Sequence, residues 1–555
     1  IYTGEDTLSL HDALPISGMF ANISSKAVNN GLIDMSGTTG NKSTAFLLGA
    51  GSTYENNGTL ILGSNATISS VIGISHEIPS LINGGIIQSD GVLAADGISL
   101  SIKVNPESVV YQTSVSSGPQ FVANGASIVA DTLITDKPII ILPGFADGTN
   151  ANVYKIENAV IASGGNYEFI SGSLLWEATP EATGTGANVY MARKAFTDFT
   201  DGLWFEDFGT ALEENFLGAS GDAMQIYNKT AYIKTEEEFR QIMSSLAGEV
   251  YANINQREYD IAKAFEDSLH LLQDSSNNTK ENIKVNIIAG KTENTERQKG
   301  ITGYDSTVFG GIILREIERT YYNTVGYSAG YLHTATDYAD SDNSTEDTDT
   351  LQAGVHSRYN VSQWTFENDF TGRISFHNVK RNIEWEDRKS VMNGEYQSYS
   401  FSSINRAGYK INKAVMPYAG FRVMYVTRRG FGETGTERLQ IEGNDAWSVK
   451  PGAGIELKGG TKPGKNGWVL KGLLDIAYEY ELAELNDRER AKLTVIEDNY
   501  HDLVKPDKEK GVFKSKITVG AETGDKFGIF LTGSYEAGAG NNENYRIGIN
   551  FKAAF

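Results

Sequence analysis

The C-terminal half of the sequence alternates apolar and polar residues with a period of two. In "WTFENDFTGRISF", Trp364, Phe366, Phe370, Ile374 and Phe376 share one side of an extended chain, while polar residues occupy the other side. This alternation occurs in twelve segments between residue 284 and the C-terminus, the quoted one included. It predicts strands with one apolar face at roughly 284–291, 303–316, 320–335, 349–360, 364–379, 395–411, 415–428, 444–458, 467–481, 511–523, 526–537 and 543–555.

The connections between these segments alternate in length. Short turns follow the second, fourth, sixth, eighth and tenth segments, and most of the other connections are longer. An even number of strands, with short turns at one end, is typical of barrels that cross an outer membrane. Such barrels are closed because closure leaves no unpaired strand edge in hydrocarbon. The sequence therefore predicts an all-β fold whose main part is a 12-stranded antiparallel transmembrane β-barrel, with lysine and arginine facing the lumen.

The last strand shows the pattern most clearly. Its apolar positions include an aromatic residue at each end, and the chain ends on one of them. Side chains on this face would contact acyl chains, and the terminal aromatic would lie at the membrane interface. The predicted lipid-facing positions are Tyr545, Ile547, Ile549, Phe551 and Phe555.

A different period governs residues 235–272, just before the barrel segments. Thr235 and Glu238 form a capping box, and apolar residues follow at steps of three and four. One helix of about 38 residues would be roughly 57 Å long, more than the roughly 30 Å hydrocarbon core. The pattern thus predicts two helices, or one that projects beyond a membrane. A twelve-stranded barrel has room for about one helix, so we expect a pore α-helix; an amphipathic helix packed on a core explains the same spacing without a function.

The N-terminal region consists of short apolar runs that alternate with Asn-Gly corners. Gly31, Gly58 and Gly85 are spaced by 27 residues. A fixed period of this length predicts stacked repeats, here a right-handed parallel β-helix. The rival is an antiparallel sandwich in which Asn-Gly marks hairpins. Residues 1–17 match nothing that follows, and we interpret them as a non-native leader.

Composition excludes several classes of protein. The net charge of -22 argues against a nucleic-acid partner, which would require a basic face. The absence of cysteine excludes disulfides, thiol catalysis and cysteine-bound zinc. The sequence contains no run of about 18 apolar residues, so it predicts no membrane-spanning helix.

Three groups of residues have some features of functional sites. Gly326, Ser328 and Gly330 match the G-x-S-x-G nucleophile motif, but the alternation continues past them, so we predict small residues that make room in the lumen. The acidic run from Asp337 to Asp349 lacks the glycine of a calcium loop. The histidines are never three or four residues apart. We therefore expect no catalytic residues, no metal and no cofactor, and a protein that is not an enzyme.

In this order and spacing, the segments resemble the type V secretion autotransporters of Gram-negative bacteria. "SLAGEVYA" looks like the family's Leu-Ser-Gly-Glu-x-Tyr-Ala, with alanine in place of the usual serine. "PYAGFRVMY" resembles a strand often seen in these barrels, and "ANVYMARKAF" looks like the end of the junction region that helps the passenger fold. The pore-helix motif residues are Leu246, Gly248, Glu249 and Tyr251. The terminal alternation resembles the family's signal for the outer-membrane assembly machinery, which implies that the barrel assembly signal consists of Tyr545, Ile547, Ile549, Phe551 and Phe555.

The resemblance implies a division into four parts. Residues 1–17 are the leader, 18–200 a β-helical passenger fragment with an autochaperone-like junction, 201–283 a linker with the pore helix, and 284–555 the translocator barrel. Some relatives cut themselves at an Asn-Asn pair in the pore helix; here Asn253 is followed by Ile254, so the pair is missing.

The resemblance also implies a function. The barrel would lie in the bacterial outer membrane and deliver its own passenger, of adhesin-like or scaffold type, to the cell surface or beyond. Implied partners are outer-membrane lipid and lipopolysaccharide, the outer-membrane β-barrel assembly machinery, periplasmic chaperones, and a ligand on a host or neighbouring cell. Two alternatives stay open: a plugged outer-membrane diffusion pore, and the translocator of a secreted hydrolase whose catalytic part precedes residue 1.

Overall fold

The computed structural model describes residues 8–9, 19–21, 23–36, 44–63, 67–71, 77–103, 109–114, 118–123, 126–143, 150–274, 280–296, 298–385, 388–464, 467–485, 487–506, 510–524, 526–538 and 543–555. Apart from Leu8–Ser9, the predicted leader at 1–17 lies outside these residues. The chain divides into two compact units, one of residues 1–201 and 209–240 and the other of residues 202–208 and 241–555.

Short strands make up most of the N-terminal unit. Within the described residues they are β1 Leu8–Ser9, β2 Met19–Ala21, β3 Lys26–Asn29, β4 Leu32–Met35, β5 Thr44–Gly49, β6 Thr53–Asn56, β7 Thr59–Leu62, β8 Thr67–Val71, β9 Ser80–Asn83, β10 Ile86–Ser89, β11 Val92–Ala94, β12 Ser99–Lys103, β13 Val109–Ser114, β14 Gly118–Ala123, β15 Ser127–Ile134, β16 Ile139–Leu142, β17 Val153–Asn166, β18 Phe169–Ser171, β19 Trp176–Ala182 and β20 Gly186–Arg193.

Strands that lie one repeat apart pair in parallel. β3, β6 and β9 form one such series, in which Lys26 aligns with Thr53 and Thr53 with Ser80. β4, β7 and β10 form a second series with the same offset of 27 residues. Leu60, Leu81 and Ile87 are fully buried. The 27-residue spacing of the sequence therefore corresponds to the offset at which neighbouring strands pair in the structure.

A ladder of buried asparagines explains the Asn-Gly corners. Asn29 donates its side-chain N–H to Asn56 Oδ1 at 2.8 Å, and Asn56 donates to Asn83 Oδ1 at 2.9 Å. Asn83 donates to the carbonyl of Ser127 at 2.9 Å. A Cβ added to Gly58 would lie 2.1 Å from the carbonyl oxygen of Gly31, so the corner requires a residue without a side chain. Each repeat thus places an amide inside and a glycine at the closest backbone approach.

Pairing changes near the end of this unit. β17 pairs in parallel with β14 and β15 but antiparallel with β20, and β19 is antiparallel to β20. The 27-residue repeat does not continue into this part. Three helices follow, α1 Thr197–Thr200, α2 Glu206–Asn215 and α3 Gly221–Thr230.

The second unit is dominated by a barrel. Within the part of the chain that the structure describes, twelve antiparallel strands form one sheet, and pairing of the first strand with the last closes it. They are β21 Glu281–Thr295, β22 Tyr304–Thr320, β23 Asn323–Tyr338, β24 Thr345–Val361, β25 Trp364–Trp385, β26 Arg388–Tyr409, β27 Val415–Arg428, β30 Asn444–Gly460, β31 Trp468–Tyr480, β34 Gly511–Thr523, β35 Phe527–Gly538 and β36 Glu543–Ala554, with the short strands β28 Phe431–Thr434, β29 Leu439–Ile441, β32 Arg490–Leu493 and β33 His501–Asp502 between them. This confirms the predicted 12-stranded antiparallel barrel.

The two ends of the barrel differ. The connections at 321–322, 362–363, 410–414, 461–467 and 524–526 lie at one end, called here the short-turn end. The longer connections, among them 429–443 and 481–510, lie at the opposite, long-loop end. The short strands β28, β29, β32 and β33 pair in sequence with one another at that end.

The long-loop end has more regular structure than the alternation predicted. The segment expected to connect the fifth and sixth strands is a continuation of the β25–β26 hairpin, paired out to Trp385 and Arg388. Val379, Arg381 and Ile383 are buried there, because the connections of the long-loop end cover them. Sequence alternation alone did not show where these strands end.

The predicted helical region folds as two helices rather than one. Helix α4 runs from Glu236 to Ala247 and helix α5 from Ile254 to Gln273, with a 3₁₀ turn at Glu249–Tyr251 between them. Gly248 breaks the first helix with a φ of 91°. Among the described residues, no helix has the length and hydropathy needed to cross a membrane.

Candidate functional site

Helix α5 packs one apolar face against three strands of the barrel. Phe265 and Leu269 belong to a buried cluster with Ile288, Ile312 and Leu332 of β21, β22 and β23. A Cβ added to Gly330 would lie 2.8 Å from the Phe265 ring. The glycine of β23 therefore leaves the space that this ring fills.

The other faces of α5 carry charged side chains that contact polar partners on β22, β24, β25, β27 and β34. Removing one partner from such a buried pair leaves an uncompensated charge, which is strongly destabilising. The contacts reach every side of the sheet: Arg257 with Glu346 at 2.9 Å, Glu258 with His377 at 2.8 Å, Asp260 with Tyr304 at 2.7 Å, Glu266 with Arg422 at 3.0 Å, and Asp267 with Lys516 at 3.1 Å.

The motif between the helices is buried at the long-loop end. Leu246 and Tyr251 are fully buried, and the Tyr251 hydroxyl donates to Glu433 Oε1 at 2.7 Å. A Cβ added to Gly248 would lie 2.7 Å from Leu439 Cδ1 of β29. Gly248 is thus required both by its left-handed backbone and by the closeness of the loop strand.

Arg381 connects this motif to the loop that covers it. Its guanidinium donates to both carboxylate oxygens of Glu433, at 2.9 and 2.7 Å, and to the carbonyl of Ser245 at 2.7 Å. It also donates to the carbonyl of Glu437 at 2.5 Å. Arg381 is 1% exposed and Glu433 is 6% exposed. One buried arginine therefore ties β25, β28 and the end of α4 together. We call Arg381, Glu433, Ser245 and Tyr251 the mouth clasp.

A second loop contacts the same segment. His501 of β33 lies 2.9 Å from the carbonyl of Ala247 through Nε2 and 2.8 Å from Glu497 through Nδ1. Its ring also packs against Phe208 at 5.2 Å. Arg381, Glu433 and His501 could not be recognised as contact residues from the sequence, because their partners lie far away in the chain and no local spacing marks them.

The G-x-S-x-G residues lie on an unbroken strand, as predicted. Ser328 Oγ is 2.7 Å from His356 Nε2, and His356 Nδ1 is 2.8 Å from Asp369. Gln273 at the end of α5 donates to the same carboxylate at 2.8 Å.

This Ser-His-Asp chain lacks the surroundings of a nucleophile. Ser328 is paired in the ladder on both sides, so its backbone offers no free donor for an oxyanion. Ser328 and His356 are also buried. The hydrogen bonds of these side chains instead link the C-terminal end of α5 to β23, β24 and β25. Gly326 also faces the inside of the barrel, two residues from Ser328.

The acidic run is shorter as a loop than its sequence suggested. Only residues 339–344 connect β23 and β24. Asp342 accepts a hydrogen bond from Ser245 Oγ at 2.5 Å, and Asp340 accepts one from the backbone of Ser344 at 2.8 Å. No group of three or more acidic or histidine side chains in the described ranges is arranged to hold a metal.

Glu249 of the motif should make closure of the long-loop end depend on pH. Burial, together with the carboxylates of Asp340 and Asp342, raises the pKa of Glu249 from 4.5 to about 7. The folded state then binds this proton more tightly than the unfolded state, so stability falls as pH rises from about 4.5 to about 7, by at most about 3 kcal/mol. We predict that Glu249→Gln flattens this loss and makes the protein more stable than the unsubstituted chain at pH 8.

Urea unfolding of the detergent-solubilised protein at pH 5, 6.5 and 8 measures this effect. Glu237→Gln, at an exposed position on α4, is the matched control and should keep the original slope. Equal slopes for the two variants would contradict the assignment.

The predicted lipid-facing positions of the last strand point outward. Tyr545, Ile547, Ile549 and Phe551 are 42%, 57%, 44% and 40% exposed, and Phe555 is 81% exposed. Their neighbours Asn544, Asn550 and Lys552 are buried on the lumen side. The outer surface of the barrel is therefore apolar on this strand, and its inner surface is polar.

Comparison with known proteins gives two family matches. The model of the autotransporter β-domain matches residues 283–534. The model of the BigA β-sandwich domain matches residues 116–195, the part that contains the antiparallel strands β19 and β20. No curated protein matches the chain.

Among solved structures, the chain is similar to the translocator domain of NalP from Neisseria meningitidis, at 13% identity and a TM-score of 0.43, over 56% of this chain and 100% of that one. It is similar to the β-domain of the Bordetella autotransporter BrkA, at 13% identity and a TM-score of 0.34, over 50% and 100%. It is also similar to the transport unit of AIDA-I from Escherichia coli, at 11% identity and a TM-score of 0.35, over 53% and 98%.

Proposed function

From the premise that this chain is a type V secretion autotransporter, with its β-domain at residues 283–534, we propose that it delivers its own N-terminal part to the cell surface. The β-domain belongs in the outer membrane. The observation that carries the proposal is the closed barrel whose outward positions are apolar and whose inward positions contact α5. In this proposal the short-turn end faces the periplasm and the long-loop end faces outward.

Helix α5 is, in this proposal, the pore helix. Contacts with apolar and charged side chains on all sides of the sheet support a helix that stays in the lumen as plug and tether. Its N-terminal end lies by the mouth clasp and its C-terminal end by the short turns. This direction is the one expected if the preceding passenger lies outside the cell and the helix runs through the lumen toward the periplasm.

Residues 18–200 are the proposed passenger fragment. Parallel pairing at an offset of 27 residues supports a β-helix for the first part. The match to a β-sandwich domain at 116–195 and the antiparallel strands there support a separate junction that ends the stack. Such a scaffold suits adhesion to a ligand on a host or neighbouring cell better than it suits catalysis, and we propose a passenger of that type that is not an enzyme.

Assembly in the outer membrane requires partners, and we propose those that the family resemblance implies. We propose that the terminal strand, with its outward aromatic residues, is read by the outer-membrane β-barrel assembly machinery after periplasmic chaperones have kept the chain unfolded. Outer-membrane lipid and the lipopolysaccharide of the outer leaflet would then surround the apolar face. Folding of the passenger outside the cell, rather than a nucleotide, would bias its exit.

Protease shaving of intact cells tests delivery. The passenger should be degraded while the barrel survives, and the surviving barrel should migrate differently on gels when heated. Passenger that remains in the periplasm of cells with an assembled barrel would overturn the proposal.

Deleting residues 235–274 should raise the conductance of the barrel in planar bilayers several-fold, because the deletion removes the side chains that fill the lumen. The undeleted chain in the same bilayer is the control. A plugged diffusion pore would show the same rise but no passenger at the surface. Unchanged conductance would contradict the placement of α5.

A further inference from the structure

The outer surface of β25 and β26 contains polar residues among aromatic ones. On β25 the rings of Phe366 and Phe370 are exposed, and Asn368, which lies between them in the alternation, is exposed on the same side. On β26 Asn405 has the same parity as the exposed Phe401 and therefore also points outward. The two asparagines are direct register partners. A pair of amides thus lies in the face that is turned toward lipid.

This pair belongs to a short polar row that is confined to three strands. Ser357 of β24 is the register partner of Asn368 on its other side. On the strands beyond, the residues aligned with the row are apolar, namely Val325 on β23 and Phe421 on β27. The row is therefore a local feature of this side of the barrel.

The row lies at a depth expected for hydrocarbon. Trp364 and Tyr409 are register partners beside the short turns, and their exposed rings mark the membrane interface at that end. Asn368 and Asn405 are each four residues farther along their strands. At about 3.4 Å per residue and a strand tilt of about 40°, this distance is roughly 10 Å into an apolar band about 25 Å tall. An asparagine side chain is too short to reach water from there.

Acyl chains cannot satisfy these amides. A carboxamide has two N–H donors and an oxygen that accepts. Asn405 donates one N–H to Ser403 Oγ at 3.1 Å, and the side chain of Asn368 makes no hydrogen bond to any residue that the structure describes. The remaining donors and acceptors face hydrocarbon, where unpaired polar groups are costly. We call Ser357, Asn368, Ser403 and Asn405 the polar patch.

A second copy of the chain can supply the missing hydrogen bonds. The patch has no ionisable side chain, and each amide or hydroxyl in it both donates and accepts, so the surface is complementary to itself. Under a two-fold axis parallel to the barrel axis, β25 of one copy faces β26 of the other at nearly the same depth. Asn368 of each copy then meets Asn405 of the other, and Phe366 meets the small Ala407, its register partner within one copy.

We propose that the polar patch is the interface of a homodimer within the membrane, in which the amides of the two copies hydrogen-bond across the two-fold axis. The phenylalanine rings beside the patch pack around these bonds and exclude lipid. The inference rests on the placement of the barrel in a membrane and is independent of passenger delivery.

Energy transfer between copies of the full chain in phosphatidylcholine vesicles tests the proposal. Because the chain has no cysteine, Gln363→Cys supplies a single labelling site in the turn between β24 and β25, close to the patch. Separate portions carry a donor or an acceptor dye and are mixed before reconstitution. With lipid in large excess, we expect donor quenching that rises linearly with the acceptor fraction, as a dimer requires.

The variant Asn368→Leu/Asn405→Leu should raise the protein-to-lipid ratio needed for half-maximal transfer about tenfold or more, because the amide contacts are lost. The matched control, Asn378→Leu/Asn393→Leu, makes the same replacements at exposed positions of the same two strands nearer the long-loop end, and it should leave transfer unchanged. Heat-modifiable migration of each variant confirms that its barrel is folded. Absence of transfer in the unsubstituted chain would overturn the dimer, and equal transfer in the two variants would overturn the patch as its interface.

Discussion

Replacing Arg381 by methionine is expected to destabilise the protein by roughly 3–5 kcal/mol, because the change leaves the buried Glu433 carboxylate without its cation. The mouth clasp would then open, since the same guanidinium also donates to Ser245 and Glu437. The segment around Tyr251 should become accessible to chymotrypsin. Urea unfolding in neutral detergent and limited digestion measure the two effects.

Two further variants make this prediction specific. Arg315→Met removes an arginine whose ion pair with Glu281 is 54% and 62% exposed, and it should cost no more than about 1 kcal/mol. Adding Glu433→Gln to Arg381→Met should restore part of the loss, because it removes the unpaired charge. An Arg381→Met protein as stable as Arg315→Met, with Tyr251 still protected, would contradict the role of the clasp.

Replacing Asn56 by leucine is expected to lower the free energy of unfolding of the N-terminal unit by roughly 2–5 kcal/mol. The change removes the acceptor of Asn29 and the donor to Asn83, and an unsatisfied buried polar group costs about 1–3 kcal/mol. Passenger folding would weaken, so the proposed bias toward export should weaken with it. Thermal unfolding of the purified chain and the amount of passenger on intact cells measure the two consequences.

The neighbouring residue supplies the control. Asn57 is exposed and donates to Asn30 at 3.2 Å, so Asn57→Leu should change stability little. If Asn56→Leu and Asn57→Leu unfold at the same temperature, the buried ladder does not stabilise the stack.

The barrel could be predicted from the sequence because the alternation that marks each strand involves only residues that are neighbours in the chain. A strand with lipid on one side and a polar lumen on the other must alternate, and the lipid-facing positions of β36 follow from that rule. The prediction failed where the rule stops applying. Beyond residue 379 the β25–β26 hairpin is covered by loops rather than lipid, so its pattern carries no membrane signal.

The mouth clasp could not be predicted for a different reason. Tyr251 and Glu433 are 182 residues apart, and Arg381 and Ser245 are 136 apart. Each is an ordinary polar residue in its own segment, and only the closed sheet brings them together. The position of the helix break could not be predicted, since the apolar spacing continues across Gly248 from Leu246 to Val250, and the left-handed φ of Gly248 appears only in the structure.

Labelling of single cysteines tests the direction of the chain across the membrane most directly. The chain has no cysteine, so each substitution supplies the single thiol. Glu177→Cys lies at an exposed position of β19, and Gln363→Cys lies in a two-residue turn at the short-turn end. On intact cells, a membrane-impermeant maleimide should label Glu177→Cys and should label Gln363→Cys only after the outer membrane is permeabilised. Protection of Glu177→Cys in intact cells, or labelling of Gln363→Cys there, would contradict the account.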